Sequence, residues 1–282
     1  MQQRHIAATI PGIATSDGAG VSLVRSLGQN AHSRFDPFLM LDHFSSDDPD
    51  DYIAGFPPHP HRGFETVTYM LHGKMLHRDH MGNEGLLTSG GVQWMTAGRG
   101  VIHEERPQQE QGLLSGFQLW VNLPGKDKMQ PARYQNLEPE QIPEITTRQD
   151  CHIRLIAGEL TLEGETYQGA VNGIAVNPLF ADISLSSGQC LTIPVDETLS
   201  AFVYLFEGSG SIAGKSLVNG ANLLSAGDNL TLEAGKNGLR VLLIAGRAIN
   251  EPIEQYGPFV MNTRQEIEQA LRDYRAGVLT GD

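Results

Sequence analysis

The sequence has little cysteine and no long apolar stretch. Its two cysteines, Cys151 and Cys190, are too few for a disulfide framework, and their apolar or β-prone neighbours predict buried free thiols. No apolar run approaches the ~18 residues that a membrane-spanning helix needs, and the first residues lack the apolar core of a signal peptide. The sequence therefore predicts a cytoplasmic protein in a reducing compartment, with no membrane partner.

Positive charge is also scarce. The chain carries 20 Lys and Arg against 33 Asp and Glu, which gives a formal net charge of −13. Binding to nucleic acid needs clustered basic side chains that neutralise phosphates. The charge balance therefore argues against direct nucleic-acid binding, while it still allows a protein partner with a basic surface.

Glycine and proline, by contrast, are plentiful. The 282 residues include 32 Gly and 15 Pro, which divide the chain into many short apolar or alternating segments. This pattern is typical of an all-β protein. Lys, Pro, Gln and Glu dominate from Pro124 to Glu144, which predicts a linker. We therefore expect two tandem β-barrels, in domains 1–135 and 136–282.

The two halves differ at their ends and in histidine content. Thr263 and Glu266 fit a capping box, followed by an apolar stripe at helical spacing, so a short C-terminal α-helix is predicted. All ten histidines lie at or before His152. The second barrel therefore lacks the imidazoles for a histidine-rich metal site and is predicted to be a structural or partner-binding copy.

Two histidine-bearing segments predict a metal site in the first half. His59 and His61 are two residues apart, and so are His103 and Glu105. Side chains at i and i+2 of a strand share one face, so two such strands facing each other inside a barrel could bring these groups together. Imidazoles with a carboxylate suit Fe, Ni, Cu or Zn better than Ca or Mg. By parity alone the carboxylate could be Glu65 or Glu105.

The other histidines are weaker candidates. His43 ends an apolar segment and is expected to be a hydrogen-bonded core residue. His72, His77 and His80 lie around predicted turns, where facing the solvent or supporting a ligand is expected rather than metal binding.

Longer motifs resemble those of the pirin family, in the cupin superfamily, over about residues 20 to 276. They are Phe35-Asp36-Pro37-Phe38-Leu39-Met40-Leu41-Asp42-His43-Phe44, His59-Pro60-His61-Arg62-Gly63-Phe64-Glu65-Thr66-Val67, Gln93-Trp94-Met95-Thr96-Ala97-Gly98-Arg99-Gly100 and Gly257-Pro258-Phe259-Val260-Met261-Asn262-Thr263. The resemblance implies a bicupin fold, with two cupin-type barrels.

The resemblance also implies a set of ligands. The family's metal positions match His59, His61, His103 and Glu105, which leaves Glu65 to orient a ligand imidazole or a solvent molecule. The expected cofactor is one divalent transition-metal ion. Iron is the family's association, as Fe(II) in a reducing compartment, and the ligand set does not exclude Ni, Cu, Mn or Zn.

The resemblance to pirins implies two candidate functions for this chain. One is quercetin 2,3-dioxygenase activity, in which O₂ opens the central ring of a flavonol and CO is released. Glu105 would then be the base that takes the proton of the flavonol hydroxyl. The alternative is a metal- and redox-dependent regulator that binds a transcription factor or a metabolic enzyme.

Overall fold

The computed structural model describes residues 2–281, and in this range most of the chain is β-strand. The strands of the first half are β1 (Ile6–Pro11), β2 (Ile13–Asp17), β3 (Val21–Arg25), β4 (Phe38–Ser46), β5 (Phe56–His61), β6 (Phe64–His72), β7 (Met75–Asp79), β8 (Glu84–Leu87), β9 (Val92–Thr96), β10 (Val101–Pro107), β11 (Leu114–Asn122) and β12 (Arg133–Leu137). Short 3₁₀ turns lie at Ala31–Ser33, Pro49–Asp51, Gly125–Asp127 and Pro139–Gln141.

The second half continues in the same way. Its strands are β13 (Glu144–Thr146), β14 (His152–Ala157), β15 (Glu159–Leu162), β16 (Glu165–Gln168), β17 (Leu179–Leu185), β18 (Cys190–Pro194), β19 (Leu199–Ile212), β20 (Lys215–Ser216), β21 (Gly220–Leu224), β22 (Asn229–Arg247), β23 (Glu254–Tyr256) and β24 (Phe259–Met261). The α-helix α1 (Arg264–Arg275) follows. The predicted all-β architecture with a short C-terminal helix is confirmed.

Two compact units share these elements. The first unit comprises residues 14–28, 38–139 and 249–281, and the second comprises residues 2–13, 29–37 and 140–248. Each unit thus takes segments from both sides of residue 135. Residue 135 itself lies in β12, which pairs with β9, so part of the predicted linker completes a sheet of the first unit. The domain limits 1–135 and 136–282 stay a prediction.

The first unit contains a seven-stranded and a four-stranded antiparallel sheet. Their strand orders are β12-β9-β6-β11-β4-β3-β2 and β5-β10-β7-β8. Apolar side chains of both sheets form one buried cluster, which includes Leu23, Phe44, Met70 and Met75. This burial of alternate side chains is the main stabilisation of such sheets.

The second unit is built on the sheet β1-β21-β19-β22-β17-β14-β13. A large aliphatic cluster fills it, with Ile153, Ile183, Val203, Leu232 and Val241 all at most 1% exposed. Among residues 2–281, the group of side chains that could hold a metal ion lies in the first unit.

The two cysteines have different environments. Cys151 is buried, as predicted, whereas Cys190 is exposed. The prediction for Cys190 was wrong because side chains of β18 alternate between solvent and core, and Cys190 falls on the solvent side. In the described residues, no helix has the length and apolar character needed to cross a membrane.

The C-terminal segment is fastened to the chain just after His61. Arg62 donates to a carboxylate oxygen of Asp273 at 2.7 Å and to the carbonyl of Leu279 at 2.8 Å, and its carbonyl accepts from the Val260 amide at 3.0 Å. Gly63 has a φ of +90°, and a Cβ there would collide with the Val260 carbonyl. The capping box of Thr263 and Glu266 begins α1 as predicted.

Replacing Lys128 by methionine should destabilise the first unit. The buried Lys128 Nζ donates to the Gly63 carbonyl at 2.7 Å, to Asn122 Oδ1 at 2.7 Å and to the Val260 carbonyl at 3.1 Å. Burial lowers the pKa of Lys128 to about 8, so the ammonium still predominates at pH 7. Each acceptor left unpaired costs ~1–3 kcal/mol. We expect the thermal unfolding midpoint to fall by roughly 5–10 °C in calorimetry.

The matched control is Lys126→Met, which removes an exposed lysine two residues away. It should leave the midpoint within about 1 °C, because surface changes away from such contacts have little effect. Equal midpoints for the two variants would contradict the role of the buried ammonium.

Candidate metal centre

The predicted metal strands are β5 and β10, and they are hydrogen-bonded neighbours. In their antiparallel register, His103 lies opposite His59, and Val101 lies opposite His61. The two strands that were expected to face each other inside a barrel are adjacent strands of one sheet. Direct cross-strand pairing brings the side chains together instead, because opposite residues have Cβ atoms only ~5 Å apart.

Parity along β10 is as predicted. Val101, His103 and Glu105 are buried, whereas Ile102 and Glu104 are partly exposed. The register shifts between His103 and Glu105, so Glu105 lies opposite Phe56 of β5. His103 and Glu105 therefore share the inner face, and Glu104 lies on the other side.

Three imidazoles converge at this point. The ligand nitrogens of His59, His61 and His103 lie within 4.8 Å of one another, and no other such group was found among residues 2–281. The ring centroids are 4.4 Å apart for His59 and His103, 4.6 Å for His59 and His61, and 4.8 Å for His61 and His103. His61 and His103 are each 2% exposed.

The nitrogen atoms are arranged to hold a cation. His59 Nδ1 lies 2.8 Å from the Pro57 carbonyl and must donate to it, which leaves the lone pair of His59 on Nε2. This Nε2 lies 2.9 Å from His61 Nε2. His103 Nε2 is buried and has no hydrogen-bond partner. Such convergence of imidazole nitrogens, one of them unsatisfied, fits a bound metal ion.

Burial keeps these imidazoles neutral. It lowers the pKa of His61 and His103 well below the usual histidine value. Burial also lowers the pKa of His59, against the opposing effects of the Pro57 carbonyl and the Asp17 carboxylate. Because metals bind the deprotonated nitrogen, no proton has to be removed before binding at pH 7.

Glu105 lies beside the three histidines but outside their group. Its Oε1 is 3.1 Å from the Thr68 hydroxyl, and the side chain is buried. Burial raises the pKa of Glu105 to about 7. A carboxyl group with such a pKa can exchange a proton near neutral pH. Its predicted roles as ligand and base stay predictions.

Glu65 bonds to β9 rather than to a histidine. It accepts from Trp94 Nε1 at 3.0 Å and from the Thr96 hydroxyl at 2.7 Å, and burial raises its pKa. These bonds join β6 to β9. Orientation of a ligand imidazole or a solvent molecule by Glu65 stays a prediction.

Of the remaining histidines, one is buried next to the three converging imidazoles. His43 is half-buried and stacks on Phe117 with ring centroids 4.5 Å apart, and burial lowers its pKa to about 4. His72 and His80 are exposed. His77, in contrast, is 1% exposed, and its Nε2 lies 2.7 Å from His103 Nδ1.

Sequence reasoning allowed His77 to support a ligand but did not predict its burial. Its strand, β7, lies between β10 and β8, and His77 pairs directly with Glu105. The apolar residue Met75, two positions before, was the available sign that this face of β7 is buried. When His103 Nδ1 donates to His77, the lone pair of His103 lies on Nε2, as metal binding requires.

Replacing His77 by alanine should weaken metal binding about 10- to 100-fold, the usual effect of removing a hydrogen-bond partner of a ligand histidine. His77→Gln, which still offers an acceptor, should recover part of the loss. Competition with a chromophoric chelator measures the affinity. His72→Ala is the matched control and should bind as the wild type does. An unchanged affinity in His77→Ala would show that the bond to His103 is not needed.

A cavity of about 560 Å³ reaches His59, His61 and Glu105. Its polar lining includes His59, His61, Glu105 and Gln118, and its apolar walls come from Leu23, Leu39, Met40, Phe44, Phe56 and Trp120. The Trp120 ring lies 5.4 Å from His61 and 4.4 Å from Phe64, measured between centroids. Trp120 thus walls the cavity, whereas Trp94 is buried and does not line it.

Two family matches span both halves of the chain. The family described as Pirin matches residues 20–121, and the Pirin C-terminal cupin domain matches residues 180–280. The chain belongs to the pirin family. The predicted bicupin fold class is thereby confirmed, and the metal strands β5 and β10 lie in the first pirin match.

Individual relatives cover nearly the whole pirin chain. A Pseudomonas aeruginosa protein named "Putative quercetin 2,3-dioxygenase" is 51% identical, over 95% of both chains. A "Pirin-like protein" of Caulobacter vibrioides is 44% identical, over 98% of this chain and 99% of its own. The crystal structure of a quercetin 2,3-dioxygenase from Acinetobacter baumannii is 34% identical, with a TM-score of 0.90 over 100% of this chain and 99% of that one.

The donor set of this pirin fits one divalent transition-metal ion. Three neutral imidazole nitrogens suit borderline cations, and hard cations such as Ca²⁺ would require more oxygen ligands than the group contains. His59, His61 and His103 would bind such an ion, and their number leaves coordination positions for further ligands.

Proposed function

We propose that the protein is a quercetin 2,3-dioxygenase, a mononuclear metal enzyme that opens the central ring of a flavonol with O₂ and releases CO. The observation that carries this proposal is the cavity with largely apolar walls that reaches His59, His61 and Glu105. A ring-sized cavity with a few convergent polar groups is the usual form of a small-molecule site. The names of the 51% identical relative and of the 34% identical structure support the same activity.

His59, His61 and His103 would hold the metal, with Glu105 as the fourth ligand. Fe(II) is our first choice, and Ni, Cu, Mn and Zn are the alternatives. When bound, the metal supplies Lewis acidity and the electron transfer that lets a flavonol anion react with O₂. We also propose a cytoplasmic location, where a reducing environment preserves Fe(II) and the free thiols.

Glu105 would take the proton of the flavonol hydroxyl, and Thr68 would hold its carboxyl group in both protonation states. The Thr68 hydroxyl lies 3.1 Å from Glu105 Oε1 and 2.7 Å from Gln118 Oε1, but it has one proton to donate. While Glu105 is ionised, the Thr68 hydroxyl donates its proton to Glu105, and the Gln118 amide turns so that its NH₂ group donates to the Thr68 oxygen. Once Glu105 is protonated, it donates to Thr68, which donates to the Gln118 oxygen.

The apolar walls would orient the flat substrate. Phe56 and Trp120 offer aromatic faces beside the histidines, and Met40 can adapt to the shape of a ring. Exclusion of water by these side chains strengthens the hydrogen bonds of Glu105 and protects an anionic substrate from protonation.

The test is anaerobic loading of the purified protein with each candidate metal, followed by addition of quercetin and O₂. We expect the flavonol absorbance to disappear with release of one CO for each quercetin consumed. Metal-free protein treated with chelator is the control. A protein that retains metal but produces no CO with Fe, Ni, Cu, Mn or Zn would overturn the proposal and favour the regulator predicted as the alternative.

A further inference from the structure

A row of polar side chains crosses the seven-stranded sheet of the first unit. Strand register places Arg25 of β3 opposite Asp42 of β4, Asp42 opposite Gln118 of β11, and Gln118 opposite Thr68 of β6. Residues in register across neighbouring strands point to the same face. The row therefore runs continuously over the cavity side of the sheet, and at Thr68 it meets Glu105.

The end of the row away from Glu105 is a charged cluster. Arg25 donates to both oxygens of Asp42 at 2.7 Å and to Asp17 at 2.7 Å. Arg25, Asp42 and Asp17 all line the cavity. Asp42 is nearly inaccessible, with 3% of its side chain exposed, whereas Asp17 is 49% exposed. One guanidinium and two carboxylates leave this end of the cavity with a net charge of −1.

The separation between the two ends matches a molecule of more than one ring. Two strand spacings, together ~10 Å, lie between Thr68 and Asp42. Apolar residues two positions from Arg25 or Asp42 along β3 and β4, namely Leu23, Met40 and Phe44, line the cavity beside the charged cluster. An aromatic compound whose reacting hydroxyl lies at Glu105 would therefore extend its other ring towards Asp42 and Asp17.

We propose that the carboxylates of Asp17 and Asp42 form a recognition subsite for hydroxyl groups on the far ring of the substrate and reject substrates that carry a negative charge there. This inference rests on the proposed flavonol site. Nε and Nη2 of Arg25 donate to the two carboxylates, whose oxygens still have lone pairs that accept from phenolic O–H groups. A carboxylate or sulfonate of the ligand would instead meet like charge.

Anaerobic binding measurements test this without turnover. The probes are quercetin, which has two hydroxyls on its pendant ring; galangin, the same flavonol with an unsubstituted pendant ring; and quercetin sulfonated on that ring. We expect metal-loaded protein to bind quercetin about tenfold more tightly than galangin, as one hydrogen bond to a charged acceptor allows. The sulfonate should bind at least about tenfold more weakly than galangin.

Asp17→Asn provides the decisive variant because Asp17 is on the surface and its substitution should not disturb folding. Its loss of one negative charge should tighten sulfonate binding about fivefold or more. The matched control, Asp47→Asn, removes the same charge at an exposed position outside the cavity lining and should leave all three affinities unchanged. If both variants bound the sulfonate equally more tightly than the wild type, the effect would be one of long-range charge alone, and the subsite would be overturned.

The remaining outcomes separate this inference from the proposed function. Equal affinities for the three probes, together with CO release from quercetin, would overturn the subsite and leave the dioxygenase intact. If the affinities followed the expected order but no CO were released, the proposed dioxygenase function would be overturned and the proposed subsite would stand. Failure to bind any probe would overturn both.

Discussion

His103→Ala is expected to lose tight metal binding, and CO release from quercetin should fall to the level of metal-free protein. His103 provides one of three converging nitrogens, and its buried Nε2 has no other partner. Loss of a supporting residue alone weakens metal binding about 10- to 100-fold, so loss of a ligand should weaken it by more than about 100-fold.

Metal content after gel filtration and the midpoint of thermal unfolding measure this loss. In the wild type, metal at 100 times its Kd should add about 2.7 kcal/mol to the free energy of unfolding, because it binds the folded state. His103→Ala should show no such gain at the same concentration, and circular dichroism should confirm that it is folded. His72→Ala should retain the wild-type gain. A folded His103→Ala protein with full metal content would place the metal elsewhere.

Glu105→Gln should lose turnover while it keeps the metal. A glutamine has nearly the same shape, and its oxygen can still accept from Thr68, but its amide group cannot take a proton at pH 7. General bases contribute about 10²- to 10⁴-fold to a rate, and we expect kcat to fall within that range. The three histidines should retain metal, with an affinity reduced by the loss of the carboxylate.

Glu104→Gln is the matched control for this change. It alters the adjacent residue on the opposite face of β10, where Glu104 pairs with Arg106. Its kcat should stay within about twofold of wild type. Steady-state CO release, together with metal analysis of each variant, gives the comparison. If Glu105→Gln turned over at the wild-type rate, Glu105 would not be the base, and solvent or another group would take the proton.

Local patterns predicted much of this molecule. Alternation along the chain correctly placed His103 and Glu105 on one face, with Glu104 on the other. The capping box correctly began the helix after Thr263. Both features depend on residues a few positions apart, so the sequence contains the information directly.

Several features that depend on the pairing and register of strands were not predicted. The burial of His77 follows from the position of β7 beside β10, and the row from Arg25 to Thr68 follows from the registers of four strands. Register joins residues far apart in sequence, and a shift of one residue would turn each side chain to the other face. β12 was missed for the same reason, since its polar composition resembles a linker until its pairing with β9 is known.

The bonds of Arg62 to Asp273 and Leu279 make the C-terminal segment a structural support of the metal site. This segment itself supplies no ligand. Proteolytic trimming just beyond Asn262 would release the residue next to His61 from its two anchors. Such a clipped protein would retain every liganding side chain and still be expected to let its ion exchange more freely. A degraded preparation could therefore be mistaken for a protein of low intrinsic metal affinity.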